Sequence, residues 1–178
     1  EVPVYAHSDE IPFLTGKQHY PKPDASVGGG LVARMSPTFP NKSLFLGDII
    51  HALPEDGSIP HLPDWKWIHT PGHSPGHVSF FREKDRTLIV GDAFVTVKQE
   101  SLYRVLIQEK EISGPPKYFT TDWNAAWESV KILEQLKPQV AVTGHGVPVS
   151  GEELTTALAN LANHFDTIAM PSQGRFLN

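Results

Sequence analysis

The sequence predicts a layered α+β domain with strands inside and helices outside. Three observations carry this. Short apolar runs, bounded by Gly, Pro and charged turns, fill the first part of the chain. Two stretches with three- and four-residue apolar spacing, after Asp122 and after Ser150, read as amphipathic helices. Between them lies one more apolar strand, residues 139–143. Strands followed by helix, strand and helix suit a sandwich whose helices lie outside.

The chain has 178 residues, no cysteine and a formal charge of −5. That length suits one domain with a core of useful size. No repeat, linker or low-complexity tract divides it, so residues 1–178 are expected to form a single domain. The absence of cysteine excludes a disulfide framework and thiolate metal ligands. It is compatible with a reducing compartment, and a cytoplasmic setting is expected. Mild acidity without a Lys/Arg cluster argues against a nucleic-acid surface. No apolar run approaches the roughly 20 residues of a membrane span.

In chain order, residues 2–6 read as a short strand near an edge, because of Pro3. Ser8, Asp9 and Glu10 then cap a helical turn reaching Leu14. Residues 17–26 form a loop. Gly28, Gly29 and Gly30 lack the spacing of a phosphate cradle and lead instead to a short helix at 31–36. Residues 43–50 read as a strand ending in Gly47-Asp48. Asp56-Gly57 centres a hairpin-type turn. Strands follow at 65–68, 78–81 and 87–90. Phe94 and Tyr103 lie in a semi-apolar stretch and are candidates for core packing, and 105–116 is a polar loop. Asp122 caps a helix with the stripe Trp123, Trp127, Val130, Leu133 and Leu136, stopped by Pro138. Ser150-Gly151-Glu152-Glu153 reads as a capping box. The helix it opens carries Leu154, Leu158, Leu161 and Phe165 on one face, with His164 favourably placed for the helix dipole. From Pro171 the tail is expected to be loosely held.

Three strand ends carry ligand chemistry. Thr70-Pro71-Gly72-His73-Ser74-Pro75-Gly76-His77 follows the first of the three central strands. Gly91-Asp92 ends the third, and Gly144-His145 ends the late strand. Imidazole and carboxylate are what a borderline cation such as zinc accepts. Taken alone, each residue could be a simple turn residue. Their shared place after an apolar strand favours a metal. His77 reads as a positioning residue that holds the loop through a ring hydrogen bond. His7 and His19 read as surface or capping residues, His69 as lying on the face opposite Ile68 and not a ligand, and Asp48 as a turn residue.

Taken in order, the Thr-Pro-Gly-His-Ser-Pro-Gly-His, Gly-Asp and Gly-His motifs resemble the metallo-β-lactamase superfamily over nearly all of the chain. The resemblance implies a four-layer αββα sandwich and a two-metal hydrolytic site. By it, His73 is a ligand of the first metal, Asp92 the bridging and catalytic carboxylate, and His145 a ligand of the second. It further implies two zinc ions in the intact protein and a small-molecule substrate, with Phe94 and Tyr103 as pocket-lining candidates in competition with core packing. The implied reaction is hydrolysis of an ester, thioester, lactone, amide or phosphoester by water activated between the ions. One departure stands out. The family signature His-x-His-x-Asp-His is absent, since no two histidines are separated by one residue. We therefore read Glu1 as an internal start, with the family's first strands and that motif upstream. One ion or none is expected on this chain. The lost strands should leave an apolar sheet face open to self-association or to a missing N-terminal piece. The alternative reading is a non-catalytic scaffold or interaction domain. Gly72-His73-Ser74-Pro75-Gly76 has the G-x-S-x-G spacing but joins two strands rather than a strand and a helix, so neither Ser74 nor Ser79 makes a nucleophile elbow and a serine hydrolase is disfavoured.

Overall fold

Period-two alternation in the strands around the His73 loop decides the architecture. The computed structural model describes residues 2–28, 34–39, 41–97 and 111–177. Within these, β3 (Trp65–His69), β4 (Val78–Arg82), β5 (Thr87–Gly91), β6 (Val140–Thr143) and β7 (Val149–Ser150) form one sheet in that order. Its neighbours are antiparallel except β5 and β6, which are parallel. The register lines Phe81, Leu88, Ala141 and Val149 into one cross-strand row. The next row is Trp67, Phe80, Ile89 and Val142. Successive side chains point to opposite faces, so the two rows face apart.

The first row is the floor of the core. On it lie α2 (Trp123–Gln135) and α3 (Gly151–Asn163), which also pack on each other. Asp122 starts α2 by accepting the Ala125 amide at 2.9 Å. Trp123, Val130 and Leu133 of its stripe are buried. Each fully buried side chain of that size stabilises by about 1.5–3 kcal/mol. Lys137 turns out of the helix at φ 48°, just before Pro138. In the second row Trp67 and Phe80 are half-buried, while Ile89 is 39% and Val142 38% exposed.

Before β3 the described residues form two short strands. β1 (Val4–Ala6) and β2 (Ile50–Ala52) pair in parallel as a separate two-stranded sheet. The strand expected at 43–50 does not form. Gly47, at φ 61°, turns the chain into a 3₁₀ turn, Gly47–Ile49, before β2 begins. In α1 (Ile11–Leu14) the N-cap Glu10 makes no side-chain cap bond, because its carboxylate is engaged elsewhere. The Ser150 side-chain cap expected from the sequence is also absent. Ser150 is extended and paired with Val140 in β7, and its side chain makes no cap bond. Glu152 and Glu153 occupy the first turn of α3, where the dipole favours them. His164 closes that helix, its ring 3.2 Å from the Asn160 carbonyl.

The tail is tied down rather than loose. Asp24 is only 7% exposed, and a buried carboxylate requires donors. It accepts from the Ser26 amide and hydroxyl and from the Arg175 amide. Gln173 donates to the Ser26 carbonyl at 2.9 Å, and Phe176 and Leu177 pack against the main core. Phe94 is wholly buried in that core, which settles its role as packing. Tyr103 and most of the glycine-rich helix approach lie outside the described residues. Among the described residues, no helix is long and apolar enough to cross a membrane.

Candidate metal centre

The loop between β3 and β4 is held from three sides. Within it, Thr70 N donates to the His77 carbonyl and Gly72 N to the Ser74 carbonyl. From α2, Ser129 donates to the Pro71 carbonyl at 2.7 Å, and the Thr121 and Asp122 amides donate to the Gly72 carbonyl. Gly72 lies so close to that helix that a Cβ would come 2.5 Å from the Ala126 backbone. From α1, the Glu10 carboxylate accepts from Ser74 Oγ at 2.8 Å and from the Gly76 amide at 3.0 Å. Tyr20 donates to the other Glu10 oxygen. The loop is thus preset before any ligand arrives.

His77 joins this loop to Asp92. The Asp92 amide donates to His77 Nε2 at 2.9 Å, so the ring proton is on Nδ1. That N–H donates to the Thr70 carbonyl at 3.0 Å, with Thr70 Oγ1 at 2.9 Å. Burial, and then the neighbouring His73, push the His77 ring down to about 4, so it stays neutral. The positioning role read from the sequence matches these contacts. Gly91, at φ 63°, leaves room for the contact, since a Cβ there would lie 2.5 Å from His77 Nε2. At the end of β6, Gly144 donates its amide to the Gly91 carbonyl, and a Cβ on it would strike Asp92 Oδ1. Thr96 N and Thr143 Oγ1 both donate to the His145 carbonyl and set its backbone.

These constraints bring the three candidate ligands together. His73 Nε2 is 3.6 Å from Asp92 Oδ2, and His145 Nε2 is 3.7 Å from Asp92 Oδ1. Both distances are too long for hydrogen bonds. They are close to the roughly 3.4 Å between two ligands of one tetrahedral ion with bonds near 2.0–2.1 Å. Each carboxylate oxygen faces a different imidazole. Among the described residues, His73 Nδ1 and Asp92 Oδ1 are buried without a hydrogen-bond partner. Leaving such groups unpaired costs about 1–3 kcal/mol each. Burial, then His145, hold the His73 ring down at about 4, so its lone pair is free at neutral pH. The residues present fit a divalent cation. Beside them opens a cavity of about 360 Å³, lined by His73, Phe119, Thr121, Tyr20, Asn41 and Glu10.

The two depressed imidazoles make the metal-free chain acid-sensitive. Unfolded, these rings take up protons near pH 6.5; folded, only near 4. The unfolded state binds more protons between those values. The stability they contribute is therefore complete above about pH 6.5 and is lost as pH falls toward 4. Each ring accounts for up to about 3 kcal/mol over that interval. Denaturant unfolding of chelated protein at pH 7, 5.5 and 4 should show a steady fall. A flat profile would contradict the burial described here.

The Metallo-beta-lactamase superfamily model matches residues 1–145. The chain belongs to this superfamily. Its α+β fold is that of the metallo-β-lactamase proteins, as solved structures also show. It is similar to a superfamily protein of Sulfolobus tokodaii, ST1585, at TM-score 0.57 and 19% identity, covering 93% of this chain and 58% of that one. TTHA1623 in a di-iron-bound form gives 0.52 and 24%, covering 90% and 62%. The probable metallo-hydrolase YflN of Bacillus subtilis is 49% identical over 168 residues, 94% of this chain and 64% of that protein. The probable metallo-hydrolase YybB, from the same organism, is 30% identical over 146 residues, 82% and 54% respectively. The chain thus spans less than two thirds of the length of these superfamily relatives.

Sequence reasoning missed the Glu10 clamp and the crowding at Gly72 and Gly144. Only the glycines themselves signalled close approach. His19 accepts the Ser43 amide and His51 lies against the Tyr5 ring.

Proposed function

We propose that the natural protein is a zinc-dependent hydrolase of an ester-like bond, whether ester, thioester, lactone, amide or phosphoester. One observation carries this: the two oxygens of Asp92 face two different histidines, as a carboxylate shared between cations must. The names of YflN and YybB as probable metallo-hydrolases support it. Ions bound here would supply water of lowered pKa and Lewis-acid polarisation of the scissile group. The chain's own residues do the rest. Asp92 orients the reacting water, and His77 fixes the Asp92 backbone. Phe119 and Tyr20 give the cavity apolar walls for a small-molecule substrate.

Three ligands do not fill two sites, so this reading gives the chain alone at most one ion at this centre. The same count supports a second reading, a non-catalytic domain of the family fold. The natural protein, stripped with chelator and reloaded with zinc or iron(II), should be assayed on esters, thioesters, lactones, amides and phosphoesters. Recovery of at least about a hundredfold, with one metal preferred, is the expected result; loss of a metal site's supporting contacts alone has effects of this order. Unchanged activity after exhaustive chelation, or no activity with any metal, would leave the scaffold reading.

A further inference from the structure

A different set of donors lies where the sequence reading gave His7 a surface or capping role, Asp9 a capping role and His69 no ligand role. His7 follows β1, Asp9 lies in the next turn, and His69 is the last residue of β3. Each offers one ligand atom, and these atoms all lie within 4.8 Å of one another. We propose that His7, Asp9 and His69 form a separate binding site for a borderline divalent cation such as zinc or cobalt(II).

The donor set carries the argument. The His7 and His69 rings stack at 3.9 Å between centroids and 12° between planes. Two imidazolium ions would repel in that arrangement, so it suits neutral rings; their in-plane lone pairs do not converge within the stack, and a shared ion would turn one ring out of it. Burial, and then His69, lower the proton affinity of His7. Beside the rings stands the Asp9 carboxylate, 59% exposed and free to turn, with Oδ2 3.7 Å from His7 Nδ1. Two imidazoles with lone pairs and one carboxylate make a proton-poor set that a cation completes.

A second observation is independent of that proximity. His69 Nε2 lies 2.8 Å from the Pro75 carbonyl. A carbonyl only accepts, so Nε2 carries the proton and Nδ1 the free lone pair. Metal-bound histidines are held in this way, the far nitrogen donating to a backbone carbonyl. The His7 ring meets the Trp67 ring edge-on at 5.5 Å. Its Nδ1 accepts the Asp9 amide at 3.2 Å, a long bond that a cation would replace. Pro75 lies within the loop that carries His73. An ion on His69 would therefore brace the same loop from outside.

The experiment separates this site from the centre at Asp92 and needs no hydrolase activity. The 178-residue chain carrying His73→Ala, Asp92→Asn and His145→Ala is titrated calorimetrically with zinc and followed by absorbance with cobalt(II). One equivalent binding in the micromolar range, abolished by adding His69→Ala, is the expected result. No binding, or binding indifferent to His69→Ala, overturns the proposal. Should the triple variant fail to fold, the unsubstituted chain is titrated with zinc while its histidine ring ¹⁵N resonances are recorded. Shifts of His7 and His69 support the site; responses confined to His73 and His145 overturn it.

Discussion

Asp92→Ala should lower turnover of the natural protein by more than about a thousandfold, about 4 kcal/mol of activation free energy. The fold should survive. Both carboxylate oxygens face imidazoles rather than structural donors, and Oδ1 is buried with no hydrogen-bond partner among the described residues. Truncation removes a buried polar atom that the fold was leaving unsatisfied. The backbone amide that donates to His77 is untouched. Turnover and thermal unfolding, measured on one preparation, check both halves. Full activity would remove Asp92 from the mechanism. A collapsed unfolding midpoint would make it a structural residue instead.

Gly72→Ala is expected to be the most damaging single-methyl change at the centre. Gly72 sits at φ 131°, and a Cβ would lie 2.5 Å from both Cα and N of Ala126. Those atoms belong to the helix backbone, so no rotamer change relieves the overlap. Either the loop or α2 must move, at a cost of about 3 kcal/mol or more. For a domain of this size that lowers the unfolding midpoint by roughly 6–12 °C. Gly57→Ala is the internal control. Its φ is also positive, at 81°, but the nearest atom to an added Cβ is 3.6 Å away. It should cost only the backbone preference, about 1–2 kcal/mol. Equal losses at the two positions would show that conformation, not crowding, dominates. Metal affinity should fall with Gly72→Ala, because His73 is the next residue.

What the sequence disclosed was whatever is local. β3, β4, β5 and β6 declared themselves as short apolar runs, and α2 and α3 by stripe spacing with Asp122 and Pro138 as punctuation. The three candidate ligands were legible because each follows a strand and lies beside glycine. Their meeting at Asp92 came from the family motif order rather than from any local pattern. The strand expected at 43–50 and the Ser150 capping box were sound local signals. Tertiary structure overrode them, through a glycine turn in one case and sheet pairing in the other. The tail was misread because its partner, Asp24, lies 151 residues away. His7 and His69 were discounted for the same reason, since nothing local shows that one ring stacks on the other.

The Glu10 clamp bears on the order of folding. It joins the turn before α1 to the Gly76 amide across a separation of 66 residues. Closing a loop of that length costs roughly 4 kcal/mol of chain entropy, beyond a constant. One carboxylate with a few donors does not repay that unaided. The hairpin of β4 and β5 and the seat on α2 must supply the difference first. The clamp therefore belongs late on the folding route, after the sheet and α2 have met. The N-terminal turn acts as a latch, closing on a loop whose backbone is already laid down.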